Sequence, residues 1–193
     1  MRKIISLCLL ICLLCLSGCN KNEINNQTKS MYIKPTEFSE ETKEALELFD
    51  EEIQFFDIKF NETVKSHKIS VWIYRDGEWK EEGKIFGEVE FLANRYAIRL
   101  TDTSFELYSI EDNGHSKYKY PSLDTEFDKT TTKIGWKLDY EKEIHLNEEI
   151  VLWTSIGSNE TKFETSIMEE DFREIECDTG IVITITLSDE SLN

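Results

Sequence analysis

The sequence predicts a mainly β fold: an antiparallel β-sandwich or barrel-like domain with one short N-terminal helix. Three observations carry this. Apolar and polar residues alternate in short runs between Ile53 and Leu187, which is the period of a strand with one face buried. Turn residues such as Asp76-Gly77 and Asp112-Asn113-Gly114 separate the runs, and strands spaced by roughly ten residues fit a sandwich or barrel. Only one stretch has helical spacing, whereas a parallel sheet needs repeated crossover helices.

Residues 39–50 are that stretch. Ser39 can cap the helix, and Glu40 and Glu41 suit the positive end of its dipole. Leu46, Phe49 and Ile53 fall on one stripe, which predicts packing on a sheet, because so short a helix is not stable alone. Phe56, Ile58 and Phe60 then share a strand face. Ile69, Val71 and Ile73 share another, with Ser70, Trp72 and Tyr74 opposite. Arg75-Asp76-Gly77-Glu78 reads as a tight hairpin, since Asp-Gly accepts the positive φ pair of a type I′ turn. That register sets Tyr74 against Trp79 and Arg75 against Glu78, both favourable cross-strand pairs.

Further strands are expected at 84–91, with Ile85, Val89 and Phe91 on one side, and at 95–101 and 104–110. Residues 111–132 read as a long loop or meander around Pro121. Strands follow at 132–140 and 149–156, around Trp136 and Trp153. Residues 157–173 carry no clear period beyond a short helical turn near 169–172. The last strand is the clearest: Ile181, Ile183, Ile185 and Leu187 point one way, and Val182, Thr184 and Thr186 the other.

Ahead of this domain stands a different kind of segment. Arg2 and Lys3 precede an apolar run from Ile4 to Leu16, and Leu16-Ser17-Gly18-Cys19 closes it. The run has the length of a signal core and falls short of the ~17–25 residues a membrane-spanning helix needs. The four closing residues resemble the lipobox of bacterial lipoproteins. The resemblance implies a diacylglycerol on the Cys19 thiol and cleavage between Gly18 and Cys19. The expected organisation is residues 1–18 as lipoprotein signal peptide, 19–31 as lipidated flexible tether, and 32–193 as an acidic extracytoplasmic domain. Two acyl chains anchor firmly where one binds reversibly, so the expected location is the outer face of a cell membrane. A polar tether of a dozen residues spans roughly 20 Å on average. Frequent Lys, Asn, Ile, Phe and Tyr, with few Ala and Pro, fit an AT-rich genome and thus a Gram-positive host. Beyond the lipobox, the domain resembles uncharacterised Gram-positive lipoproteins, a resemblance that implies no activity.

The formal charge is −17. Such a surface repels nucleic acid and anionic headgroups, so nucleic acid is not an expected partner. It suits a basic partner, a cation or a neutral ligand, and it also serves solubility alone. Cys8, Cys12 and Cys15 lie in the signal, and an acylated Cys19 leaves Cys177 as the single thiol, so no intrachain disulfide is expected. Its spacing from Ile175 and its neighbours Glu176 and Asp178 describe a small buried hydrophobe rather than a thiolate nucleophile.

No catalytic motif stands out. His67, His115 and His145 are isolated, without the spacing of a zinc site. Asp76-Gly77-Glu78 and Glu111-Asp112-Asn113-Gly114 offer oxygens but lack the alternating carboxylates of a calcium loop. No nucleotide or hydrolase signature is present, and no cofactor or metal is expected. Trp72, Tyr74 and Trp79 are the most suggestive constellation. Facing outward, they form an aromatic platform for a sugar ring or an apolar partner group; covered, they belong to the core. The function read from this is a membrane-anchored, non-enzymatic binding module for a protein or glycan. Two alternatives stay open: an envelope glycan hydrolase using a carboxylate pair, and an acidic inhibitor or immunity protein for a basic target.

Overall fold

The computed structural model describes residues 30–48, 53–101, 103–120, 122–123, 125–159 and 171–192. The segment expected to be a signal peptide, Cys19 and Phe49 lie outside them, as does most of the stretch between 157 and 173.

Eleven strands are described: β1 (Tyr32–Pro35), β2 (Ile53–Lys59), β3 (Ser66–Arg75), β4 (Glu78–Glu88), β5 (Arg95–Leu100), β6 (Phe105–Glu111), β7 (Gly114–Tyr120), β8 (Thr132–Lys137), β9 (Lys142–Glu143), β10 (Glu149–Ser158) and β11 (Thr179–Ser188). They form two antiparallel sheets, β7-β6-β5-β2-β1-β9 and β4-β3-β11-β10-β8. Neither closes on itself, so the fold is sandwich-like rather than a barrel. Inward residues of both sheets merge into one core. Phe56, Tyr96, Ile98 and Phe105 come from the first sheet, and Ile69, Ile73, Leu152, Ile181, Ile183 and Ile185 from the second. Each such side chain contributes ~1.5–3 kcal/mol on leaving water.

The alternation read from the sequence places these residues correctly. Ile69, Val71 and Ile73 point inward from β3, and Ile181, Ile183, Ile185 and Leu187 from β11. The hairpin also has the expected register, with Tyr74 opposite Trp79 and Arg75 opposite Glu78. Asp76 and Gly77 have φ of 57° and 81°, the left-handed pair that matches the twist of the flanking strands. Beyond the turn, one extra residue of β4 bulges between Val71 and Trp72. A second register shift, in β10 between Val151 and Trp153, lets both Leu152 and Trp153 face the core.

Several expectations need correction. The helix α1 (Glu40–Glu47) forms with Ser39 as its cap, the Thr42 N–H donating to Ser39 Oγ at 3.4 Å. None of its residues is buried. Leu46 is half-exposed, and Ile53 opens β2 instead of extending the stripe. Phe38, just before the cap, anchors this connection by an edge contact with Phe55 at 5.1 Å. The strand expected at 84–91 ends at Glu88, and Val89–Phe91 turn as a 3₁₀ helix. Val89 still packs on the core, while Phe91 is exposed. Residues 114–120, expected in a loop, form edge strand β7. Met31, placed by the sequence reading in the segment ahead of the domain, packs on the core, and its carbonyl accepts from the Ile144 N–H at 2.9 Å.

Candidate functional site

The outer face of the five-stranded sheet carries the constellation singled out from the sequence. Trp72 and Tyr74 project from β3 opposite the inward Ile73, and the hairpin sets Trp79 beside Tyr74, their rings meeting edge-to-face at 5.3 Å. Gly180 on β11 makes room for this indole. A Cβ there would lie 2.5 Å from Trp79 Cη2.

A strap that the sequence left unread crosses this face. Residues 171–178 run over the sheet, with a 3₁₀ turn at Phe172–Glu174. Asp171 caps the turn by accepting the Arg173 N–H at 3.1 Å, and that contact holds its carboxyl below the usual range. Phe172 enters between the two indoles, 5.6 Å from Trp72 and 5.4 Å from Trp79. With Ile156, Ile175 and Val182 they form a second, smaller core. The Trp79 indole N–H donates to the Ile175 carbonyl at 3.1 Å and fastens the strap.

Trp72, Tyr74 and Trp79 are therefore together, with Tyr74 buried and the two indoles half-buried. The Arg173 guanidinium lies 4.2 Å from the Trp72 ring and 4.2 Å from the Phe172 ring. It also pairs with Glu149 at 2.6 Å. Cys177 packs in the same cluster, and burial, then Asp178, pushes its thiol up to about 12. Burial and the nearby Cys177 likewise raise the Tyr74 phenol.

Beside the rings runs a polar row across four strands. Ser70 donates to Glu81 at 2.7 Å, and Glu81 also meets Lys84 at 2.7 Å and Lys68 at 3.3 Å. Ser70 stands directly opposite Thr184. Thr184 donates to Glu149 at 2.7 Å, and the Trp72 indole N–H donates to the same carboxylate oxygen at 3.2 Å. Burial alone would raise the Glu81 carboxyl. Hydrogen bonds from Lys84 and Ser70 and the charge of Lys68 override it and bring the value to about 2. Glu81 is thus a fixed anion at neutral pH, unsuited to the proton donor of a glycosidase.

The opposite face, on the six-stranded sheet, holds a second charged cluster. The Glu106 carboxylate is covered by neighbouring side chains: Lys117 at 3.0 Å, Lys119 at 3.7 Å, Arg99 at 3.9 Å and the Tyr108 hydroxyl at 2.8 Å. Lys117 and Tyr108, the strongest of these contacts, hold its carboxyl below the usual range. In the sequence Glu106 is one acid among many; the strand pairing that surrounds it with cations gives no local signal.

Among the described residues, no group of three His, Cys, Asp or Glu is placed to hold a metal ion. His115 and His145 are exposed, and His67 is buried. No helix among the described residues is long and apolar enough to cross a membrane. The described residues thus form a mainly β, sandwich-like domain of two open antiparallel sheets, with a strap across the aromatic cluster on one outer face. Comparison with family models, with curated proteins and with solved structures finds no match to the chain.

Proposed function

We propose that this chain is a lipid-anchored protein of the cell surface whose sandwich domain binds a protein partner without catalysis. Leu16-Ser17-Gly18-Cys19, closing an apolar run after Arg2 and Lys3, supports the anchor. The strapped face of the five-stranded sheet supports the choice of partner. A sugar ring stacks on an open, flat aromatic face. Here the Trp72 ring faces Arg173, and Phe172 fills the space between the indoles. What remains is a mixed surface of half-buried rings with Arg173 and Lys84, the composition of a protein contact surface. The charge of −17 favours a partner with a basic surface and speeds their encounter.

The test is capture from envelope extracts on immobilised domain, alongside purified wall glycan. The expected result is a protease-sensitive ligand whose retention falls with salt and is reduced by Arg173→Ala. Retention of glycan with nothing protease-sensitive would replace this reading with the glycan one. Turnover of wall material, lost on changing a single Asp or Glu, would replace it with a hydrolase.

A further inference from the structure

β4 is the edge of the five-stranded sheet, and its second half, past the bulge, has an open side. In an antiparallel strand the N–H and C=O of one residue point to the same side, and the side alternates along the chain. The Val89 N–H donates to the carbonyl of Lys65, next to β3, at 2.8 Å. Odd-numbered residues here therefore turn their backbone toward β3, and even-numbered ones away from it. The Glu82 carbonyl agrees, since it faces outward and accepts from the Tyr120 hydroxyl at 2.8 Å. Tyr120 thus caps the edge at one end, and the 3₁₀ turn at Val89–Phe91 ends it at the other. Between these limits Lys84, Phe86 and Glu88 each present an N–H and a C=O to the open side. Among the described residues, no strand pairs along it.

Open edges invite pairing with another chain, and lysines, prolines and bulges guard them. β7 is guarded by Lys117 and Lys119. The free run of β4 has no Pro, and its bulge lies ahead of it. At its centre stands Phe86, 62% exposed, with Phe91 and Leu192 beside it at 69% and 42%. Ile85 packs on the core, so Lys84, Phe86 and Glu88 share the outer face of the sheet. This run is its own complement. Laid antiparallel against itself about Phe86, it sets Phe86 against Phe86 and each Lys84 against a Glu88. An aromatic pair flanked by opposite charges is favourable across strands. Centring on Lys84 or on Glu88 instead would set like charges together, so the side chains select the register.

We propose that a second copy of this chain pairs antiparallel with β4 over Lys84, Phe86 and Glu88, on a two-fold axis at Phe86, joining the two five-stranded sheets edge to edge. The contact lies past the bulge from Trp79 and stands whether or not the strapped face binds a protein. Two chains of charge −17 repel each other, so sedimentation is run across a concentration series at ~0.15 M salt, where screening acts within about 8 Å. The chain from Asn20 onward keeps every described residue. The expected species at high concentration has twice the chain mass. Phe86→Pro removes the N–H on the axis, which faces water in the single chain and is not needed by the fold, and it abolishes the dimer. Lys84→Glu and Glu88→Lys each set like charges across the axis, and each sediments as a single chain. Mixed in equal amounts, these two variants form the two-chain species again, because one then carries only acids at the paired positions and the other only lysines. Near-ultraviolet circular dichroism verifies the fold of every variant. A single-chain mass at all concentrations overturns the proposal, as does a dimer that Phe86→Pro leaves intact, or a mixture of the charge variants that stays dissociated.

Discussion

Phe172→Ala tests whether the strap is a structural element of the five-stranded sheet. Phe172 is 4% exposed and packs between Trp72 and Trp79. Truncating a core Phe costs ~3–5 kcal/mol. The strap is a single chain segment that can settle toward the sheet, which places this cost at the lower end, about 3 kcal/mol. In a domain of ~150–250 residues, 1 kcal/mol shifts Tm by ~2–4 °C, so a fall of about 6–12 °C is expected. Thermal unfolding followed by circular dichroism gives the shift, and tryptophan emission gives the local change. Losing Phe172 opens both indoles to water, and the emission maximum moves to longer wavelength. Phe91→Ala is the control: Phe91 is 69% exposed, and its loss should cost under about 0.5 kcal/mol. A Phe172→Ala shift no larger than the control's, with unchanged emission, would refute the placement of the strap.

Other consequences follow from the same contacts. Glu81, held down to about 2 by Lys84, Ser70 and Lys68, stabilises the fold above its ordinary value of 4.5. That contribution is lost as pH falls from 4.5 toward 2. Urea titrations of wild type and Glu81→Gln should therefore converge in stability across this window, and parallel curves would be the contrary result. Cys177, with its thiol raised to about 12, should resist alkylation by iodoacetamide at pH 8 while folded and react fully in guanidinium. Gly77→Val puts a β-branched side chain at φ 81°, which costs ~1–2 kcal/mol, with a matching fall in urea midpoint at unchanged m-value. Gly180→Ala drives a Cβ to within 2.5 Å of Trp79. It should displace that indole and shift its emission while the core contacts of β11 remain.

What the sequence reveals depends on how local the cause is. β11 is readable because seven successive residues, from Ile181 to Leu187, alternate between the two faces. The hairpin is readable because Asp76-Gly77 fixes its own turn. β7 is not: the residues of Gly114–Lys119 are all exposed, so the strand has no apolar rhythm, and its lysines are the charges that protect a free edge. Val89 and Phe91 continue the period of β4 although the chain has already turned, because Val89 reaches the core from the turn itself. The stripe through Leu46 and Ile53 spans two elements, and spacing alone does not show the break. The strap is the largest omission. Phe172 meets Trp72 across a hundred residues of chain, and nothing near either residue announces the other. The aromatic constellation was visible as a set; what covers it was a property of the fold alone.

The proposed anchor on Cys19 would set where the proposed contacts occur, and intact-mass spectrometry of the chain extracted from its native membrane tests it most directly. The expected species begins at Cys19 and carries a diacylglycerol thioether, and Cys19→Ala abolishes both the added mass and the incorporation of a fatty-acid label. A free thiol at Cys19, or a mature N-terminus at any other residue, would contradict it.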